Sequence, residues 1–196
     1  MRATRVAEAD ARPGPESVQF HLQVWDAWSG DYWLHVEIDG ATSLGHLDSY
    51  LRAIWLECCG HTSQFSIGRW SGERFGMTRK VHQVFQSVAE ITHIYDFGTE
   101  SVTLIKAIAK RRSKATGKRP IALMARNALP EALCQECDAV ASSLCIECTM
   151  DGDRSGLLCS EHGRSHPHED YGEPVPVVNS PRMGVCGYTG PAEPPY

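Results

Sequence analysis

The chain has no run of about 18 apolar residues, so nothing in it reads as a bilayer-spanning helix. Its opening stretch, MRATRVAEADARPGPES, has basic side chains but no apolar h-region, which excludes an ordinary secretory signal and predicts a cytoplasmic protein. Residues 1–17 read as a flexible leader of Ala, Arg, Glu and Pro. No Gly-rich phosphate loop, HRD-type catalytic loop or recognisable nucleophile–base pair occurs, and no segment repeats at a solenoid period. What remains is a soluble globular composition, 42% hydrophobic and 22% charged, in 196 residues, enough for one ordinary core and a small appended unit.

Acidic residues are missing from one place in particular. Lys106, Lys110, Arg111, Arg112, Lys114, Lys118 and Arg119 lie in one stretch with no Asp or Glu among them. The net charge of -5 argues against non-specific coating of DNA, but this stretch is a candidate contact for phosphate or an acidic partner. A solvated hairpin tip explains the same charges equally well. Aromatic residues are not concentrated beside it, which weakens a single-strand-binding reading.

Alternation of apolar residues over 18–25 and 32–38, around the turn-rich DAWSGD, predicts an antiparallel hairpin. Leu44, Leu47, Leu51, Ile54, Trp55 and Cys58 then take up helical spacing, with Thr42 or Ser43 as cap and Gly60 as stop. Strands are predicted at 64–70, 91–98, 101–109 and 119–126, a short helix from Val81 to Val88, and a basic connecting loop at 110–118. The fold class is α+β: a mostly antiparallel sheet over residues 18–130 with helices on one face, then a small irregular zinc-binding module and tail at 131–196.

From Cys134 onward Gly, Pro, Cys and His replace long apolar runs. Roughly 60 such residues build little hydrophobic core, so another force must order them. The spacing supplies it: Cys134-x2-Cys137, Cys145-x2-Cys148, Cys159-x2-His162 and His166-x-His168. Each pair presents two N/S ligands, and four pairs fill two tetrahedral zinc sites with no position left for a catalytic water. Two zinc ions with a structural role are therefore expected. In a sequential pairing the four cysteines from Cys134 to Cys148 share one ion. In a cross-braced pairing Cys134, Cys137, Cys159 and His162 hold one ion, and Cys145, Cys148, His166 and His168 hold the other. The cross-brace is preferred because only seven residues separate the first two pairs, but both pairings stay open. Cys58 and Cys59 read as small core residues, and Cys186 as a buried free thiol or, alternatively, a substitute ligand.

The hairpin and helix at 18–58, YDFG at Tyr95–Gly98, and VPVVNSPRMGVCGYTG at 175–190 together resemble the plasmid pRiA4b ORF-3-like family, over about residues 18–190. The resemblance implies this α+β fold, and a mobile-element or defence context, since the family includes passengers of mobile elements. It assigns no activity. Similar tails carry cysteine at the positions of His162 and His168, which implies that both are ligands. Family members often follow YDFG with an acidic stretch containing Trp and His; Thr99, Glu100 and Ser101 stand there in this chain.

The reading that follows is a non-enzymatic recognition or adaptor protein that contacts a protein partner or nucleic acid. The alternative is a hydrolase-type enzyme with a site near Asp96 and Asn179–Arg182, drawing on His35, His61, His93 and Ser180. Asp96 is equally a turn residue, and Asn179-Ser180-Pro181 a turn initiator.

Overall fold

The computed structural model describes residues 2–57, 59–152, 154–167 and 172–185. Its largest element is a seven-stranded antiparallel sheet in the order β4-β3-β5-β6-β1-β2-β7. The strands are β1 (Ser17–Asp26), β2 (Trp33–Asp39), β3 (Ser63–Ser66), β4 (Arg74–Phe75), β5 (Glu90–Tyr95), β6 (Ser101–Ser113) and β7 (Ile121–Arg126). The helices are α1 (Arg2–Asp10), α2 (Leu44–Ile54), α3 (Val81–Val84), α4 (Ile146–Asp151) and α5 (Ser160–Ser165). This is the α+β architecture with a Cys/His-rich C-terminal part. No helix among the described residues is long and apolar enough to cross a membrane.

The alternation that predicts the hairpin also fixes which face is dry. Phe20, Leu22 and Val24 lie opposite Ile38, Val36 and Leu34, and all six are buried. Against that face packs α2 with Leu44, Leu47, Leu51 and Ile54, joined by Val81 and Val84 of α3. Ser43 caps α2, its side chain accepting from the His46 N–H. The helix ends well before Gly60. Leu56 takes a left-handed φ of 56°, and the Glu57 N–H turns back onto the Arg52 carbonyl at 2.9 Å. That is a Schellman closure with leucine where glycine is usual.

Two expectations change. The basic stretch is not a loop from 110 to 118: β6 runs on to Ser113, so Lys106, Lys110, Arg111 and Arg112 sit on a strand paired with β1. Only Lys114, Lys118 and Arg119 belong to the connection to β7. Pairing to the long β1, which starts at Ser17, extends the strand beyond its apolar part. Residues 1–17, read as a flexible leader, contain α1. Its C-terminal carbonyls receive the Lys114 ammonium, which donates to Asp10 O at 2.8 Å and also to Arg12 O. The Arg12 guanidinium returns the contact to the Ala115 and Thr116 carbonyls. A cation at a helix C-terminus is favourable both as hydrogen-bond donor and against the helix dipole.

Beyond β7 the chain forms a second, three-stranded sheet, β10-β8-β9, from Val175–Pro176, Ser143–Leu144 and Leu157–Leu158. Its apolar content is small. Besides Leu158 the buried cluster there consists of cysteines, with Cys148 packed against it.

Candidate metal centre

The small sheet places the ligands. Cys145 directly follows β8 and caps α4, while Cys159 directly follows β9 and caps α5. Cys148 lies on the first turn of α4, His162 on that of α5, and His166 closes α5. The first pair is tied to this frame by main-chain bonds, Cys134 N–H to Ala139 O and Gln135 N–H to Leu157 O, both 2.8 Å.

The result is two clusters. Cys134, Cys137, Cys159 and His162 bring their ligand atoms within 4.8 Å of one another, and so do Cys145, Cys148 and His166. The pairing among the described residues is thus interleaved, first pair with third and second pair with His166. The two sulfur pairs that a sequential arrangement would join fall in different clusters.

The first cluster fits a four-coordinate zinc ion. Zn–S near 2.3 Å and Zn–N near 2.0 Å in a tetrahedron require S···N of about 3.6 Å and S···S of about 3.8 Å. Nδ1 of His162 lies 3.4, 3.5 and 3.4 Å from the sulfurs of Cys134, Cys137 and Cys159, and the Cys137 and Cys159 sulfurs are 3.9 Å apart. In the second cluster Nε2 of His166 is 3.0 Å from the Cys148 sulfur. His168, the fourth ligand expected there, lies outside the described residues, as do Cys58 and Cys186.

Two of the thiols, Cys134 and Cys159, are biased toward the ligating thiolate. Against a bond from the Ala139 N–H, burial and the neighbouring Cys134 and Cys159 raise Cys137, and burial and the neighbouring Cys145 raise Cys148. Burial opposes ionisation of Cys134, yet the backbone N–H groups of Cys159 and Glu136 and the His162 ring bring its pKa down to about 6. Cys159 is lowered too, chiefly by the His162 backbone N–H against the cost of burial. Bonds from Cys134 and Cys159 raise His162. Three cysteine sulfurs and one imidazole nitrogen are the donor set of a closed structural zinc site.

The tail after β10 crosses back to the large sheet. Asn127 and Asn179 bond reciprocally, Nδ2 of Asn127 to Oδ1 of Asn179 at 2.8 Å and Nδ2 of Asn179 to Asn127 O at 3.0 Å. Ser180 Oγ donates to Trp55 O at 2.5 Å. Arg182, only 1% exposed, enters the domain: Nη1 donates to Thr99 O at 2.7 Å and Ser101 Oγ at 3.2 Å, and Nη2 to Asp96 Oδ2 at 3.0 Å. Its guanidinium also lies over the Tyr95 ring, 5.1 Å from the centroid. Asp96 has a left-handed φ of 63° and accepts from the N–H groups of Gly98 and Thr99, so it is a turn residue as well as an ion-pair partner. Burial works against its charge, but Arg182 and the two N–H groups hold its pKa below the usual carboxylate value.

The residues considered for catalysis do not gather around one opening. His93 is fully buried and bonds Asp48 through Nε2 at 2.8 Å. His35 faces His21, ring nitrogens 2.8 Å apart, on the opposite side of the sheet. His61 alone approaches Asp96, at 3.7 Å. Asp96 and Arg182 do meet, but Arg182 is buried and both of its terminal nitrogens are bonded within the protein.

The basic residues divide as well. Arg111 donates to Glu37 at 2.9 Å, and that buried carboxylate also accepts from the Thr116 N–H and hydroxyl. Lys114 caps α1, and Arg112 stands 3.9 Å from Glu16. Lys106, Lys110, Lys118 and Arg119 are exposed. Two charged residues that pattern reading passed over, Asp48 and Glu57, are buried at and just beyond α2. Helical spacing gives no sign of them, because it marks only the apolar stripe.

No known family model matches the chain, and no curated protein does. Among solved structures it is similar to the crystal structure of a protein of unknown function, MM3350 from Methanosarcina mazei Go1. The identity is 15% over 58% of this chain and 70% of that one, with a TM-score of 0.48. A likeness at that level carries no argument about function.

Proposed function

We propose that this is a non-enzymatic recognition protein whose C-terminal part is ordered by two structural zinc ions in a cross-braced arrangement. The observation that supports this reading is the Cys134, Cys137, Cys159 and His162 cluster, with four ligand atoms at tetrahedral spacing and none of its positions left for water. Interleaving with Cys145, Cys148 and His166 makes each ion staple two distant pieces of chain, and His168 completes the second set. Zinc would supply what the small sheet lacks in apolar core, on the order of 10 kcal/mol of apparent folding free energy per site. Membership of the plasmid pRiA4b ORF-3-like family, a cytoplasmic location, and a mobile-element or defence context belong to the same proposal.

Elemental analysis of freshly purified, unchelated protein is the test. Two zinc ions per chain are expected, and chelation should release the amides of residues 134–166 to exchange while β1, β2, β5 and β6 stay protected. Protein that contains no zinc would sink the reading.

A further inference from the structure

β7 ends the large sheet. Among the described residues it pairs with β2 on one side and with no strand on the other, and at its end Arg126 Nη2 donates to Asn179 O of the tail at 2.7 Å. Every second residue of such a strand turns its N–H and C=O outward, and no hydrogen bond to the outer side of 121–126 is seen among the described residues. The flanks of this edge are hollow on both faces. Ile121 points to the face that carries α2 and lines a cleft of about 200 Å³ with Tyr50, Ser49 and Pro120. Ala122 points the other way, in register with Glu37, and lines a cavity of about 340 Å³ with Arg5, Glu8 and Arg12 of the N-terminal segment and Thr116. An added strand would send alternate side chains into these two spaces.

Charge says what those side chains are. Arg5, Lys118 and Arg119 stand around the start of β7, and no carboxylate forms an ion pair with them among the described residues. Among the described residues Glu8 is the sole acid lining either space. The α2-side cleft is formed by Ile121, Pro120 and the Tyr50 ring, with Arg119, His46 and Ser49 also lining it. A second copy of the chain fits worse, since β7 reads IALMAR and carries no acid to meet Arg5, Lys118 and Arg119.

We infer that the β7 edge is a docking site for an extended acidic segment of a protein partner, one in which apolar residues alternate with Asp or Glu. Main-chain bonds to β7 supply affinity, the Ile121 cleft selects the apolar residue, Arg5 and Lys118 select the acidic one, and Arg119 beside the cleft adds to the attraction for an acidic segment. The inference rests on the recognition-protein reading, but its test leaves the metal untouched, so the two fail separately.

The probe is a displayed random decapeptide library, selected on the full zinc-loaded chain. Enriched peptides should alternate acidic and apolar residues, lose affinity as salt rises, and protect the amides of 121–126 from exchange when bound. Lys118→Glu combined with Arg119→Glu should weaken them at least tenfold, whereas Arg112→Glu, three strands from the β7 edge, should not. No enrichment, enrichment without a period of two, protection elsewhere, or binding only of oligonucleotides in a parallel titration would each overturn the proposal.

Discussion

Removing Arg182 tests how the tail is joined to the sheet. Arg182→Met keeps much of the side-chain volume and the contact with Tyr95, but takes away the donors to Thr99, Ser101 and Asp96. Asp96 then keeps two main-chain N–H groups and, at 8% exposure, a charge faced by the half-exposed His61 ring at 3.7 Å in place of the guanidinium. Breaking a buried pair from one side costs about 3–5 kcal/mol. For a chain of this size each kcal/mol lowers Tm by about 2–4 °C, so a fall of roughly 6–20 °C is expected. Asp96→Asn removes the charge while keeping a residue that tolerates the left-handed φ. The double variant should therefore be less damaged than the sum of the singles, by about 2 kcal/mol in urea unfolding. Additivity within about 0.5 kcal/mol, or a cost below about 1 kcal/mol for Arg182→Met alone, would refute the ion pair as the link.

Three further outcomes follow from particular contacts. Burial raises the Glu57 pKa from 4.5 to about 7, so the folded chain holds a proton that the unfolded chain has released. Stability from this group is therefore greatest below pH 4.5 and falls as pH rises to about 7, by about 3 kcal/mol. Glu57→Gln should raise Tm at pH 8 and barely at pH 4, and an equal shift at both would contradict the assignment. Gly156 has φ +72°, and a Cβ there meets the Thr149 hydroxyl and the Cys145 carbonyl. Gly156→Ala should displace Cys145 and lower retention of one zinc in native mass spectrometry, leaving the other. Lys114→Ala should free the α1 amides to exchange at a global cost of about 1 kcal/mol, and unchanged α1 protection would show that the cap contributes nothing.

The hairpin, α2 and the longer strands of the large sheet were legible because burial there follows periods of 2 and 3.6, as at Phe20, Leu22 and Val24 or Leu44, Leu47 and Leu51. The ligand spacing was legible because C-x2-C pairs are local. The links across the fold were not. Asp96 and Arg182 are 86 positions apart, and both read as turn residues until the tail is seen to return to the sheet. Lys114, Arg111 and Glu37 look like surface charges in the sequence, yet they hold the connection between β6 and β7 and the end of α1. β4 and β8 to β10 are two residues each, too short for any periodic signal. The ligand pairing stayed open in the sequence because spacing sets the pairs and only the β8–β9 ladder decides which pairs meet.

Zinc stoichiometry of paired cysteine variants, read by native mass spectrometry, tests the cross-brace most directly. Cys134→Ser with Cys159→Ser removes two ligands of one cluster, and Cys134→Ser with Cys145→Ser removes one from each. The cross-braced account predicts one zinc in the first variant and none in the second. One zinc in the second and none in the first would mean that the four cysteines from Cys134 to Cys148 share an ion, and the account would be wrong.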